Sequence, residues 1–225
     1  RIFHALPRFS EDMDFSLIQS DENFSLESYF DAIINEFKAL GREVIINRKH
    51  KNIQSNVESA FLKDNTAIYD LRFNTEHTIK IKLEVDINPP LGFKTESKLL
   101  LLPTSFMTRC YTLSDLYAGK MHALLFRAWK NRVKGRDWYD FEWYVRNNAI
   151  LDFKHLAERS YQFGSVEREG FTSESFKTLL KERINKTDIN LVKADVSPFI
   201  RNQSDMEMWS TDYFLQLVDM IRFED

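Results

Sequence analysis

Glycine is scarce in this chain, with six residues in 225, and none sits in a phosphate-cradling loop, which excludes a P-loop and a dinucleotide-binding turn. A single cysteine, Cys110, cannot close an internal disulfide, and the five histidines are scattered without zinc spacing. No histidine with supporting sequence accompanies Cys110, so the thiol is a poor nucleophile. No apolar run approaches the roughly 20 residues that span a bilayer. Nor is there an excess of positive charge. The formal net charge is -3, so a polyanion must be held locally rather than by global attraction. These absences lead to the expectation of a soluble, cytoplasmic chain with no membrane attachment. The chain opens on Arg1 rather than Met, without a signal peptide, and runs at once into ordered-looking sequence, so further residues are expected upstream.

What is present demands a core. Hydrophobic residues make up 43% of the chain and aromatics 14%, nineteen of them Phe, and that much apolar surface must be buried. Leu26, Tyr29, Phe30, Ile33, Ile34, Phe37 and Leu40 recur at helical spacing between a capping Ser25 and a terminating Gly41. Three strands are expected over 43 to 47, 67 to 73 and 78 to 88, the last two joined as a hairpin through Asn74 to His77. In the third, Ile79, Ile81, Leu83, Val85 and Ile87 face a core, while Lys80, Lys82, Glu84, Asp86 and Asn88 face away. Pro89 and Pro90 end it, and Leu99 to Leu102 reads as one more, buried strand before Pro103, after which sheet content stops. From Ser114, taken as an N-cap, the periodicity is helical to the end of the chain. The fold class expected is α+β. A sheet domain over 1–110 is followed by a helical domain over 111–225, with a change of architecture near 105 to 113 and a shared cleft.

Several charged groups stand out against this frame. Asp12 and Asp14, two apart in RFSEDMDF, project from one side of a strand while Met13 and Phe15 face the core. Paired like charges invite a hard divalent cation such as Mg2+ or Mn2+, although a bare DxD equally fits a solvated strand edge. Asp86 adds a third carboxylate on a polar strand face, a set that would suit two metals in a phosphoryl displacement, unless Lys80, Lys82 and Glu84 on that face merely pair with one another. Lys120 intrudes into a row with Leu116 and Leu124, where its ammonium needs an anion or its stem snorkels. His122 nearby reads as packing or surface. Asp137 and Asp140 lie one helical turn apart after a basic run of Arg127, Lys130, Arg132, Lys134 and Arg136. Trp129, Trp138, Tyr139 and Trp143 among them would stack a base, although aromatics at helical spacing more often fill a core.

In order, RFSEDMDF, KIKLEVDINPP, DLYAGKMHALLFR and KGRDWYDF resemble the successive motifs of the AbiEii/AbiGii toxin family of nucleotidyltransferases, over about residues 1 to 145. The resemblance implies a polymerase-β-like mixed sheet with flanking helices, then a helical half. It also implies a toxin of a type IV toxin–antitoxin or phage-defence system, with a cognate antitoxin, an NTP substrate and an RNA (tRNA) or protein acceptor. It would make Asp12, Asp14 and Asp86 metal ligands, Lys120 the phosphate-binding lysine and Asp137 the essential acid of the last motif. Arg8, Ser10 and Arg136 would help hold the nucleotide. Family members carry a Gly-Gly or Gly-Ser element upstream of the aspartates. This chain begins too late to contain it, and IFHALPRFS reads as the continuation of that helix, so truncation is expected. Two rival readings stay open: a catalytically silent interaction module, and a two-metal nuclease that uses the same aspartates without needing Lys120 at a triphosphate.

Overall fold

Alternating apolar and polar residues build the first sheet. It contains β1 (Asp12–Ser16), β2 (Val44–Arg48), β3 (Thr66–Phe73) and β4 (Lys80–Asp86), with helix α1 (Phe30–Ala39) between β1 and β2. The structure, a computed structural model, describes residues 1–10, 12–48, 66–73, 80–90, 92–101, 104–127 and 133–224. The expected hairpin turn at Asn74 to His77, and Trp129, Lys130 and Arg132, lie outside the described residues. The sheet order is β1-β4-β3-β2; β1 runs parallel to β4 and the other neighbours are antiparallel, so the sheet is mixed. Val44, Ile46, Leu71, Leu83 and Val85 form its core, and Phe30, Ile33, Ile34 and Phe37 of α1 pack against them.

Local signals explain α1. The Ser25 hydroxyl accepts from the Glu27 amide at 3.2 Å, and one turn of 3-10 helix (Leu26–Tyr29) leads into the α-helix. At the other end Arg42 N–H reaches Phe37 O at 2.8 Å and Gly41 N–H reaches Lys38 O at 2.9 Å, with Gly41 at φ 71°. That reverse-turn cap needs a left-handed residue, which glycine supplies without a Cβ clash. One expectation fails in β1. Met13 and Phe15 are 45% and 49% exposed rather than buried, because β1 is an edge strand and neither side chain joins the sheet core.

The chain forms two compact units, Ser10–Leu91 and, separately, Arg1–Phe9 with Gly92–Asp225. They do not coincide with a division at 110. The second unit begins with an antiparallel ribbon of β5 (Thr95–Leu100) and β6 (Phe106–Tyr111), so sheet content runs past Leu102. FMTRCY gives no alternation to reveal β6. The expected burial of Leu99 is also corrected: it lies opposite Met107, and both are more than half exposed. Lys94 N–H donates to Asp115 Oδ2 at 3.2 Å, which ties the start of the ribbon to the helices, and Phe93 packs on Tyr111 of β6 at 4.5 Å between ring centroids.

The helices are α2 (Leu113–Phe126), α3 (Gly135–Arg146), α4 (Phe153–Gln162), α5 (Ser173–Asn185), α6 (Ile189–Val196) and α7 (Thr211–Asp219). Short strands β7 (Ile150–Leu151) and β8 (Arg222–Phe223) pair in parallel. The cap of α2 is Thr112, whose hydroxyl accepts from the Asp115 amide at 3.4 Å, and not Ser114, which lies inside the helix. Capping aspartates also start α4 and α6: Asp152 accepts from His155 N–H and Asp188 from Asn190 N–H, both at 2.8 Å. Tyr117, Phe141, Phe176 and Phe214 are fully buried at the centre of the unit. Gly135 lets α3 and α6 approach, since a Cβ there would lie 2.3 Å from Val192 O.

His122 packs between Phe126 and Phe163, at 5.2 and 5.3 Å between ring centroids, which bears out a packing role. Burial first, then Arg159 and Arg127, push its pKa down to about 3. The unfolded chain therefore takes up this proton first, and stability falls as pH drops below about 6.5, by about 1.4 kcal/mol per pH unit until the folded value is reached. Urea midpoints measured from pH 7 to 5 are expected to fall steeply, and His122→Phe is expected to flatten that slope. An unchanged slope in the variant would clear His122 of the effect.

Candidate active site

In the helical unit, a buried four-residue ion-pair cluster is built from three pieces of chain. Lys120 comes from the middle of α2, Asp137 and Asp140 from the first turns of α3, and Arg8 from the N-terminal segment. Lys120 Nζ lies 2.7 Å from Asp137 Oδ1 and 2.9 Å from Asp140 Oδ2. Arg8 forks onto Asp140 with Nε at 2.5 Å from Oδ1 and Nη2 at 2.7 Å from Oδ2. The Arg8 segment is held by the Phe9 amide, which donates to Phe199 O at 2.7 Å, and by a bridge between Arg8 and Ile200. Upstream, Ile2–His4 forms one 3-10 turn, and the chain bends at Ala5, φ 50°.

The electrostatics favour the charged forms of Lys120 and Asp140. Burial alone would lower the Lys120 ammonium, but Asp137 and then Asp140 outweigh it and raise its pKa well above the ordinary value. Burial would likewise raise the Asp140 carboxyl, and Lys120 and Arg8 hold it below the usual carboxylate range. Asp137 and Asp140 side chains are each 3% exposed, whereas Lys120 keeps 23%. Lys120 is thus a charge anchored from beneath, not a snorkelling stem. The second oxygen of Asp137 lies 4.0 Å from Arg127 Nη1, on a side chain 44% exposed.

The rest of the basic run is partly absorbed by packing. Arg136 is buried with its guanidinium 4.2 Å over the Phe199 ring, and burial lowers the Lys134 pKa. Trp138 and Tyr139 are core residues, Trp138 standing edge-on to Phe214 at 5.0 Å. Burial raises the Cys110 thiol, as suits a non-nucleophile.

In the sheet unit, the parallel register sets Asp12 beside Lys82, Asp14 beside Glu84 and Ser16 beside Asp86. Paired positions share a face, so Asp12, Asp14 and Asp86 all lie on the side opposite Leu83 and Val85. From strand spacing, Asp86 stands one diagonal step from Asp14, about 8 Å between Cα atoms, and roughly 14 Å from Asp12. Lys82 pairs with Glu84 on that face. One Asp86 oxygen accepts from the Asn88 amide at 3.2 Å, and Ser10 donates to Asp12 O at 3.3 Å. Among the described residues no three acidic, histidine or cysteine side chains gather as a metal-ligand group. The carboxylate oxygens of Asp12 and Asp14 nevertheless fit Mg2+, which takes one or two protein carboxylates and completes its shell with water and phosphate.

A comparison with protein families decides what this chemistry belongs to. The model for the nucleotidyl transferase AbiEii toxins of type IV toxin–antitoxin systems matches residues 1–217. The chain belongs to that family. Comparison with curated proteins gives no match. The AbiEii match extends through the helical unit to α7, well beyond the motif region that ends near residue 145. It establishes a nucleotidyl transferase toxin, with an NTP substrate and a cognate antitoxin as the family implies. No helix among the described residues is long and apolar enough to cross a membrane.

For this AbiEii chain, the sequence motifs supplied every member of the ion-pair cluster, but Asp140 carried no assigned role. The signal was its i, i+3 spacing from Asp137 in RDWYD, which puts both acids on one helix face.

Proposed function

We propose that this toxin transfers a nucleotide from an NTP to a hydroxyl of an RNA such as tRNA, or of a protein, with Mg2+ or Mn2+ held by Asp12 and Asp14. The observation that carries the reading is the parallel register of β1 and β4, which sets Asp12, Asp14 and Asp86 on one sheet face. A bound divalent cation would supply Lewis-acid stabilisation of charge on the transferred phosphoryl group. Asp14, diagonal to Asp86, is the carboxylate best set to work with it, and Asp86 stands toward the attacking hydroxyl. Lys120 neutralises the triphosphate through the edge of its ammonium that remains accessible, and Asp137 orients it. Ser10 takes a lesser part in holding the nucleotide, while Arg8 serves it through Asp140 and Arg136 from its place over the Phe199 ring.

Thermal unfolding of the protein with Mg2+ and each of the four NTPs, beside the Asp12→Asn, Asp14→Asn double variant, tests this. Ligand at about 100 times its Kd adds ~2.7 kcal/mol to the folded state. That corresponds to about 5 °C or more for a chain of this length. The shift should require metal and vanish in the variant. No shift with any NTP would sink the transferase reading in favour of a nuclease or a silent module.

A further inference from the structure

We propose that Asp140 is a positioning residue for nucleotide binding, fixing the direction in which the Lys120 ammonium presents its remaining proton. The proposal rests on the reading of Lys120 as the triphosphate cation. An ammonium has three N–H donors in tetrahedral arrangement and turns freely about its Cε–Nζ bond when only one is engaged. Asp137 Oδ1 and Asp140 Oδ2 take two of them, at 2.7 and 2.9 Å. With two hydrogens held, the third has a single direction. Asp137 alone leaves the ammonium free to rotate.

The two carboxylates are not equivalent. Asp140 is locked, since both its oxygens receive the Arg8 fork at 2.5 and 2.7 Å, the geometry that gives an arginine–carboxylate pair its directional stiffness. Asp137 has its second oxygen 4.0 Å from the half-exposed Arg127, a looser partner. Arg8 is fixed in turn by its own Nη1, which donates to Phe9 O at 3.0 Å, and by the Phe9–Phe199 backbone bond. Stiffness therefore passes from the backbone at Phe199 through Arg8 and Asp140 to Lys120.

Steady-state kinetics of NTP-dependent transfer separate positioning from mere folding. Asp140→Asn, assayed well below its melting temperature, should raise KM for the NTP about tenfold while kcat stays within about twofold. A variant that is only partly folded lowers kcat and leaves KM alone, and that result would overturn the proposal. Arg8→Lys keeps the charge but not the fork. It should raise KM in the same direction, and the double variant should add nothing further; additive losses count against the shared device. Peptide mass spectrometry of Lys120 acylation gives a second readout independent of activity. Faster labelling of Lys120 in Asp140→Asn than in the parent supports the anchor, and equal rates refute it. If the parent shows no NTP-dependent transfer at all while labelling still responds, the proposed function has failed and Asp140 positions Lys120 for some other anion.

Discussion

Replacing Gly135 by alanine should lower the melting temperature by about 4 °C or more. The added Cβ would sit 2.3 Å from Val192 O and 2.8 Å from Val196 N, both backbone atoms of α6 that cannot rotate aside. Forced overpacking of this sort costs about 3 kcal/mol, and a chain of this length loses about 2–4 °C per kcal/mol. Helix propensity argues the other way, since alanine in a helix is worth ~1 kcal/mol over glycine. The two effects have opposite signs, so calorimetry separates them. The parting of α3 from α6 should also weaken the bond from the Gly135 amide to Asp195 Oδ2, at 2.8 Å in the parent. A melting temperature that rises would mean the helices have room the geometry denies.

Lys120→Met is expected to abolish transfer and to cost about 3 kcal/mol of stability at pH 7, because removing one partner strands a buried opposite charge. Two carboxylates 3% exposed would be left with Arg8 on one and Arg127, 4.0 Å away, near the other. The pH dependence identifies the cause. The Asp140 pKa is lowered in the parent, so its contribution is present above the ordinary carboxylate value and is lost as pH falls through the folded one. In the variant the Lys120 part of that support is gone and Asp140 protonates more readily. The gap between variant and parent, measured by urea denaturation, should narrow only as pH falls below the ordinary carboxylate value of about 3.9. A gap that stays constant would assign the loss to packing of the lysine stem instead.

The sheet unit was legible because its signals are local. The Ser25 cap, Gly41 at the helix end and the alternation through β4 each act within a few residues, and all reappear in the structure. What escaped depends on partners far along the chain. FMTRCY becomes a strand only by pairing with β5, and Met13 and Phe15 stay exposed because β1 is at a sheet edge. By residue type Ser114 is the better cap of the two, and only the start of α2 picks out Thr112. The site divides in the same way. Lys120 announced itself as a charge in an apolar row, and the acids of RDWYD by spacing. The fork of Arg8 onto Asp140 joins residues 132 apart, which no periodicity encodes.

That separation also orders events at the ribosome. The unit from Ser10 to Leu91 is synthesised as one stretch, while the other unit begins before it and closes after it. At about 5–20 residues per second, the 132 residues between Arg8 and Asp140 take roughly 7 to 26 seconds to synthesise. Until Asp140 has been made, Arg8 lacks the carboxylate it forks onto and Lys120 lacks one of its two anchors, so this cluster cannot close before α3 has left the exit tunnel.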